Sequence, residues 1–287
     1  RLGKLAKYRL ILTGTPVTQS PLDFFSQFKF LDPSIFGDSF YAFKARYAIE
    51  APVGNSGGKK VIGYLNMAEL VQKAHSIAVR VTKAEALDLP EQVDQVMYAT
   101  LEPKAQALYN QMLRESVAEL NEEKVITAAN VLARLLRLSQ LAGGFVGGDG
   151  EVEQVSAAKL SLLKETLDDL LNAGKKVVIF ARFIPEIEAI LELLKERGVE
   201  YSWITGAVSQ SERGQAVERF QKDENCRVFV AQLQTAGLGI TLTAADTAIF
   251  YSLDYSYANY EQCRARIHRI GQRNTCTYIH LVARDTV

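Results

Sequence analysis

The alternation of apolar runs and amphipathic stretches from Lys176 to Ala283 constrains this chain more than any other feature. Lys176-Val-Val-Ile-Phe180 is short, apolar and β-branched, as expected of a strand buried on both faces. Pro185 to Arg197 follows as an amphipathic helix, with Pro185 in its first turn and Gly198 as its stop. Tyr201–Thr205 is the next strand, and Ser209-Gln-Ser-Glu212 is a capping box opening a helix through Lys222. Arg227–Ala231 and Thr247–Tyr251 read as strands, Tyr257–Ile270 as a helix and Thr277–Ala283 as the fifth strand. Strand and helix taken in turn specify an α/β fold, a parallel sheet flanked by helices on both faces. Ligands of such sheets sit beyond the carboxyl ends of the strands, where loops start at Ala181, Gly206, Gln232 and Ser252.

The front of the chain reads differently. Tyr8-Arg-Leu-Ile-Leu12 is one apolar strand ending in Thr13-Gly-Thr-Pro16, and a helix-like stretch runs from Leu22 to Leu31. Residues 38–78 read as helices around a polar loop, Pro52 to Lys60. Glu102–Glu122 and Ala128–Leu141 are helical, Gly143-Gly144 and Gly147-Gly148 break the chain, and the Lys159–Leu171 helix leads into the alternation. One strand cannot make a sheet, so residues 1–35 are expected to be the tail of a domain whose beginning is absent. The chain opens on Arg1 without an initiating methionine, and is expected to begin inside a longer protein.

Lys plus Arg and Asp plus Glu both number 33, so the chain is not a uniformly basic nucleic-acid binder, although a balanced total can hide a basic groove. Cys226, Cys263 and Cys276 are odd in number and form no CxxC pair, which points to a reduced, intracellular chain without a disulfide framework or zinc knuckle. No apolar run approaches the ~20 residues that span a bilayer. His75 and His280 stand apart without ligand-like neighbours, so no metal site is expected.

Gln262-Cys-Arg-Ala-Arg-Ile-His-Arg-Ile-Gly-Gln272 carries the chemistry. It packs Arg264, Arg266, His268 and Arg269 into six residues, and no acid lies between Glu261 and Asp285. On a helix Arg266 and Arg269 share a face, and paired guanidiniums suit the oxygens of a triphosphate. His268 is expected to hold local geometry rather than to titrate in catalysis. Gly54-Asn-Ser-Gly-Gly-Lys-Lys60 is not a phosphate loop: its spacing is one residue short, no Ser or Thr follows the lysine, and no strand precedes it. It is expected to be a mobile surface loop. Gln234-Thr-Ala-Gly-Leu-Gly-Ile-Thr-Leu242 follows a strand, and Gly237 and Gly239 permit close approach of backbone to phosphate. It is expected on the same sheet edge as the arginine helix. Thr13-Gly14-Thr15 turns outward at a strand end. Phe180, Phe183 and Trp203 read as core or rim aromatics.

Taken together, these residues resemble the Swi/Snf-type ATPases of helicase superfamily two, in their bacterial and phage branch. The resemblance runs from about Tyr8 to the end. Leu12-Thr-Gly-Thr-Pro16 is similar to the third family motif, Phe180-Ala-Arg-Phe183 to the fourth, Gln234–Leu242 with Ala244-Ala-Asp246 to the fifth, and Gln262–Gln272 to the sixth. Arg46-Tyr-Ala, Gly63-Tyr-Leu-Asn66, and Val79-Arg-Val-Thr-Lys83 with Leu89-Pro90 fit a helical protrusion and its return, and Gly206, Arg213 and Phe220 fit the segment after the fourth motif. Departures are Ala265, where many relatives carry Asp, and Ala236, where many carry Gly.

The resemblance implies a RecA-like sheet and the following division: residues 1–35 as a remnant of a first lobe, 36–90 as protrusion and return, and 91–287 as a second lobe with a helical insert at about 102–145. It implies ATP with Mg²⁺, held mainly by a first lobe whose phosphate loop and Asp-Glu pair this chain lacks. It implies Arg266 and Arg269 as arginine fingers, Gly237, Gly239, Gln262 and His268 on the nucleotide side, and Arg182, Thr205, Gly206 and Thr235 on the phosphates of double-stranded DNA. Thr13, Gly14 and Thr15 would couple the two. The chain alone is expected to be inactive. The alternatives are an RNA-directed helicase of the same superfamily, disfavoured by Ile270-Gly-Gln272 and the helical insert, or a non-enzymatic interaction module.

Overall fold

The computed structural model describes residues 5–53, 58–121, 128–148, 151–235 and 239–286, and the chain divides into two units, Arg1–Ala86 and Leu87–Val287. Among the described residues no helix is long and apolar enough to cross a membrane.

Aromatic side chains hold the first unit together. Helices α1 (Phe24–Leu31), α2 (Phe40–Tyr47) and α3 (Met67–His75) bury Phe25, Phe43, Tyr47 and Leu70 against one another. Phe36 meets Phe28 and Phe43 edge-on, with centroids 5.0 and 5.1 Å away, the geometry the ring quadrupoles favour. Between α2 and α3 lies an antiparallel hairpin, β1 (Ala48–Val53) and β2 (Gly58–Tyr64). The expectation of helices around a polar loop is therefore corrected: Ile49, Val61, Ile62 and Tyr64 favour a pleated surface, and the pairing claims them. Residues 54–57, and with them most of the expected mobile loop, lie outside the described residues.

Tyr8–Leu12 is not a strand. Its amides and carbonyls would need a neighbour, no described strand pairs with it, and Leu10 and Leu12 are 76% and 86% exposed.

The second unit runs β3 (Gln92–Ala99), α4 (Pro103–Asn121), α5 (Ala128–Ala142), hairpin β4 (Phe145–Gly148) and β5 (Glu151–Gln154), α6 (Ala158–Asn172), β6 (Val177–Ala181), α7 (Ile184–Glu196), β7 (Tyr201–Ile204), α8 (Gln210–Lys222), β8 (Val228–Gln232), β9 (Thr247–Phe250), α9 (Tyr257–Ile267) and β10 (Cys276–Ala283). Six strands form one parallel sheet in the order β3-β10-β9-β6-β8-β7. Pleating sends alternate residues to opposite layers. Val178, Phe180, Phe229 and Phe250 face one core with Phe220 of α8 and Cys263 and Ile267 of α9. Val177, Ile179, Val230 and Ile249 face the other, with Leu163 and Leu167 of α6 and Ile187, Ile190 and Leu194 of α7.

All five strands expected in this unit are present. The sixth, β3, is interrupted by Gln92, Asp94 and Gln95 and gives neither a continuous apolar run nor a clean alternation. It sits at the sheet edge, mostly exposed, and is specified by its register on β10 at the other end of the chain. Phe180 is fully buried and Trp203, on the opposite edge, is 40% exposed.

Candidate nucleotide and nucleic-acid interface

The end of α9 sets the arginine geometry. Ser256 caps its start, accepting from the Asn259 amide, and the helix stops at Ile267. His268 leaves helical geometry, and Gly271 turns the chain at φ +101°. Arg269 is thus beyond the helix, and the three-residue spacing does not place it on the face of Arg266. The chain reversal brings the two together instead. Both donate through Nη1 to the carbonyl of Ile240, Arg269 at 3.1 Å and Arg266 at 3.5 Å.

Arg266 is 8% exposed, and its Nε is buried without a hydrogen-bond partner. Burial first, and the adjacent Arg269 charge second, pull its guanidinium below the ordinary value. Gln262, one helical turn earlier, is half-buried. Gly239, at φ +76°, supplies a left-handed turn just before Ile240. Gly237 lies outside the described residues.

Two other side chains of the motif belong elsewhere. Arg264 forms an ion pair with Asp94 of β3, with a second contact from Nη2 to Oδ2 at 3.1 Å, and lies 3.9 Å over the Tyr278 ring. Its hydrogen bonds hold the Asp94 carboxyl below its usual range. The absence of a nearby acid in sequence therefore left Arg264 unneutralised only on paper. His268, buried, shares a 2.9 Å hydrogen bond with the Pro90 carbonyl.

The arginines are not on the carboxyl edge of the sheet. Strands β9 and β10 are parallel, so α9 must carry the chain back to the amino end of β10. Gln272 fixes this end, donating to Ala245 O at 2.8 Å and Ile267 O at 3.2 Å and accepting from Arg273 N and Asn274 N at 3.0 and 3.1 Å. Leu233 leaves the carboxyl end of β8, and Ile240, where the arginines meet, lies a few residues before β9.

Arg182, Thr205, Gly206 and Thr235 all lie at the carboxyl edge, the last three near Gln232, a residue the sequence reading left without a role. Gln232 accepts from Gly206 N through Oε1 at 3.0 Å, and from the Thr235 hydroxyl through its carbonyl at 2.7 Å. Arg213 of α8 donates to the carbonyls of Thr205 and Gly206 at 3.2 and 3.1 Å. Thr205 and Thr235 are buried and Gly206 is exposed. Arg182 follows β6, and its guanidinium lies over the rings of Phe183 and Tyr255 at 4.9 and 5.6 Å. Gln232 was visible only as a loop start, whereas Gln272 closes a motif already singled out and could have been assigned a locking role. In the first unit, Thr13 Oγ1 accepts from Thr15 N at 3.1 Å across an exposed Gly14.

Comparison with known proteins finds two family matches along the chain. The family described as Helicase conserved C-terminal domain matches residues 158–271, and that described as SNF2-related domain matches residues 4–142. An uncharacterized ATP-dependent helicase of Mycoplasma pneumoniae is 29% identical over 97% of this chain and 26% of its own length. The DNA annealing helicase and endonuclease ZRANB3 of Mus musculus is 31% identical over 98% of this chain and 25% of its own length. The chain thus spans only about a quarter of these relatives. Among solved structures, the Sulfolobus solfataricus SWI2/SNF2 ATPase core in complex with dsDNA is 28% identical with a TM-score of 0.56, covering 96% of this chain and 58% of that one.

Proposed function

The chain belongs to the SNF2 family of ATP-dependent helicases, and from that membership we propose that it supplies the finger-bearing part of an ATP-driven translocase on double-stranded DNA. The observation that carries this reading is the meeting of Arg266 and Arg269 on one carbonyl beside the Gly239 turn. Neither arginine has a carboxylate at ion-pair distance among the described residues. Two guanidiniums on a neutral dipole are under-neutralised, and polyphosphate oxygens are the acceptors that match them.

The phosphate loop and Asp-Glu pair that would hold the β- and γ-phosphates and Mg²⁺ are not in this sequence. No group of three or more His, Cys, Asp or Glu among the described residues is placed to hold a metal. This part therefore fits the phosphates and not the ion. Arg266 and Arg269 leave Ile240 and neutralise charge on the transferring phosphoryl group. Gly239 and Gln262 line the nucleotide side, and His268 holds the geometry from the Pro90 side.

Duplex phosphates meet Arg182, Thr205, Gly206 and Thr235. A phosphate reaching Gly206 displaces the Gln232 amide oxygen and exchanges a neutral acceptor for a charged one, a bond roughly twice as strong. Such contacts position the duplex without reading its sequence. Thr13, Gly14 and Thr15 pass closure of the nucleotide cleft on to the duplex.

In the full-length protein, Arg266→Ala or Arg269→Ala should each lower kcat by about 10³-fold or more, with duplex affinity nearly intact. An equal loss of DNA binding would instead place these arginines on the duplex. The chain alone should hydrolyse no ATP; steady-state turnover abolished by Arg269→Ala would overturn the division of labour.

A further inference from the structure

Beneath Arg182 lies a buried polar relay that neither the nucleotide nor the duplex contacts use. Glu186 is in the first turn of α7 and is 1% exposed. Its Oε2 accepts from Phe183 N at 3.1 Å and from the Ser252 hydroxyl. Ser252 Oγ in turn accepts from Arg182 N at 2.8 Å. Ser252 follows β9 and Arg182 follows β6, so the relay ties two neighbouring strand ends at the carboxyl edge.

The surroundings are built to keep the carboxyl there. Lys159, 6% exposed, is the cation that faces it, and its ammonium is held by the Tyr251 carbonyl. Tyr251 OH donates to Gly143 O at 3.1 Å. A Cβ on Gly143 would fall 2.1 Å from Glu186 Oε1, so the glycine leaves the space the carboxyl fills. Burying a carboxyl is costly, and an exposed Ser or Asp caps a helix equally well. Capping alone does not account for a buried Glu, Lys and Gly converging under one arginine.

The arginine itself is held ready. Its guanidinium lies over Phe183 and Tyr255, Tyr255 is tied to Ser139 at 3.1 Å, and Arg182 Nη1 is buried without a hydrogen-bond partner. We propose that Glu186, acting through Ser252, is a positioning residue for Arg182: it fixes how the chain leaves β6, and with it where the guanidinium stands to meet a phosphate of the duplex. This rests on the reading that Arg182 meets DNA.

The test is duplex affinity against salt in the full-length protein. Arg182→Ala should weaken binding about tenfold and lower the slope of log K on log salt by about 0.9, the value of one phosphate contact. Ser252→Ala should lose most of that slope with Arg182 still present, and the double variant should bind no more weakly than Arg182→Ala. Glu186→Ala should behave as Ser252→Ala, and Glu186→Gln, which keeps an acceptor for both donors, should restore the slope. Additive losses, or a full slope in Ser252→Ala, would overturn the relay while leaving the DNA contact standing. An unchanged slope in Arg182→Ala would overturn the contact and the relay with it. Should Glu186→Ala fail to fold, the serine–arginine cycle decides alone.

Discussion

Gln272→Ala should be among the most damaging polar substitutions in the second unit. The side chain is 8% exposed and makes four hydrogen bonds of 3.2 Å or less, with a fifth to Thr243 O at 3.4 Å. At about 0.5–1.5 kcal/mol net for each of the four, truncation costs about 2–6 kcal/mol. With m in urea of about 2.5 kcal/mol per M, the midpoint falls by about 0.8–2.4 M. Trp203 is the only tryptophan and lies in β7, so its fluorescence reports this unit alone. Gln272→Glu provides the control. A carboxylate oxygen in place of Nε2 would face the carbonyls of Ala245 and Ile267, so at neutral pH it should cost at least as much as Ala. Part of that loss should return as the carboxyl protonates and regains a donor. A midpoint shift below about 0.3 M for Gln272→Ala, or Glu tolerated better than Ala at pH 7, would refute this account.

Two other outcomes follow from local geometry. Gly144 has φ +95°, and a Cβ there would stand 2.5 Å from the Ser156 carbonyl oxygen. Gly144→Ala should therefore cost about 1–2 kcal/mol for the left-handed backbone and about 1–3 for the forced shift; thermal melting within error of wild type would contradict it. The Asp94 carboxyl is held below its ordinary value chiefly by Arg264, so its contribution is present above the unfolded value of about 3.9 and is lost as pH falls through the folded one. The stability gap between wild type and Asp94→Asn should shrink steadily below about pH 4, and a gap equal at pH 3 and pH 7 would show that the ion pair does not set it.

The central strands were legible because a strand buried on both faces carries its signal in its own residues: Val177–Ala181 needs no partner to be recognised. What the sequence hid was everything set by a distant partner. Strand β3 is broken by polar residues and is defined by β10, Asp94 neutralises an arginine 170 positions away, and Tyr8–Leu12 looks like a strand but has none to join among the described residues. At the site, residue types were readable and geometry was not. Arg266 and Arg269 do meet at Ile240, yet a helix running two residues further would have been needed for the spacing argument, and the turn at Gly271 does that work instead. Gln232 escaped notice because its contacts run through Gly206 and Thr235, on two different loops.

On the proposed reading of Arg266 and Arg269 as fingers, the Ile240 oxygen also bears on release. It is a mild competitor, strong enough to hold two guanidinium groups when nothing better is offered and too weak to keep them from a highly charged guest. Once the guest has lost part of its charge, the same oxygen is positioned to take the arginines back. A resting contact of this kind works as a return spring, and it would make departure of the spent nucleotide easier without any separate ejecting part.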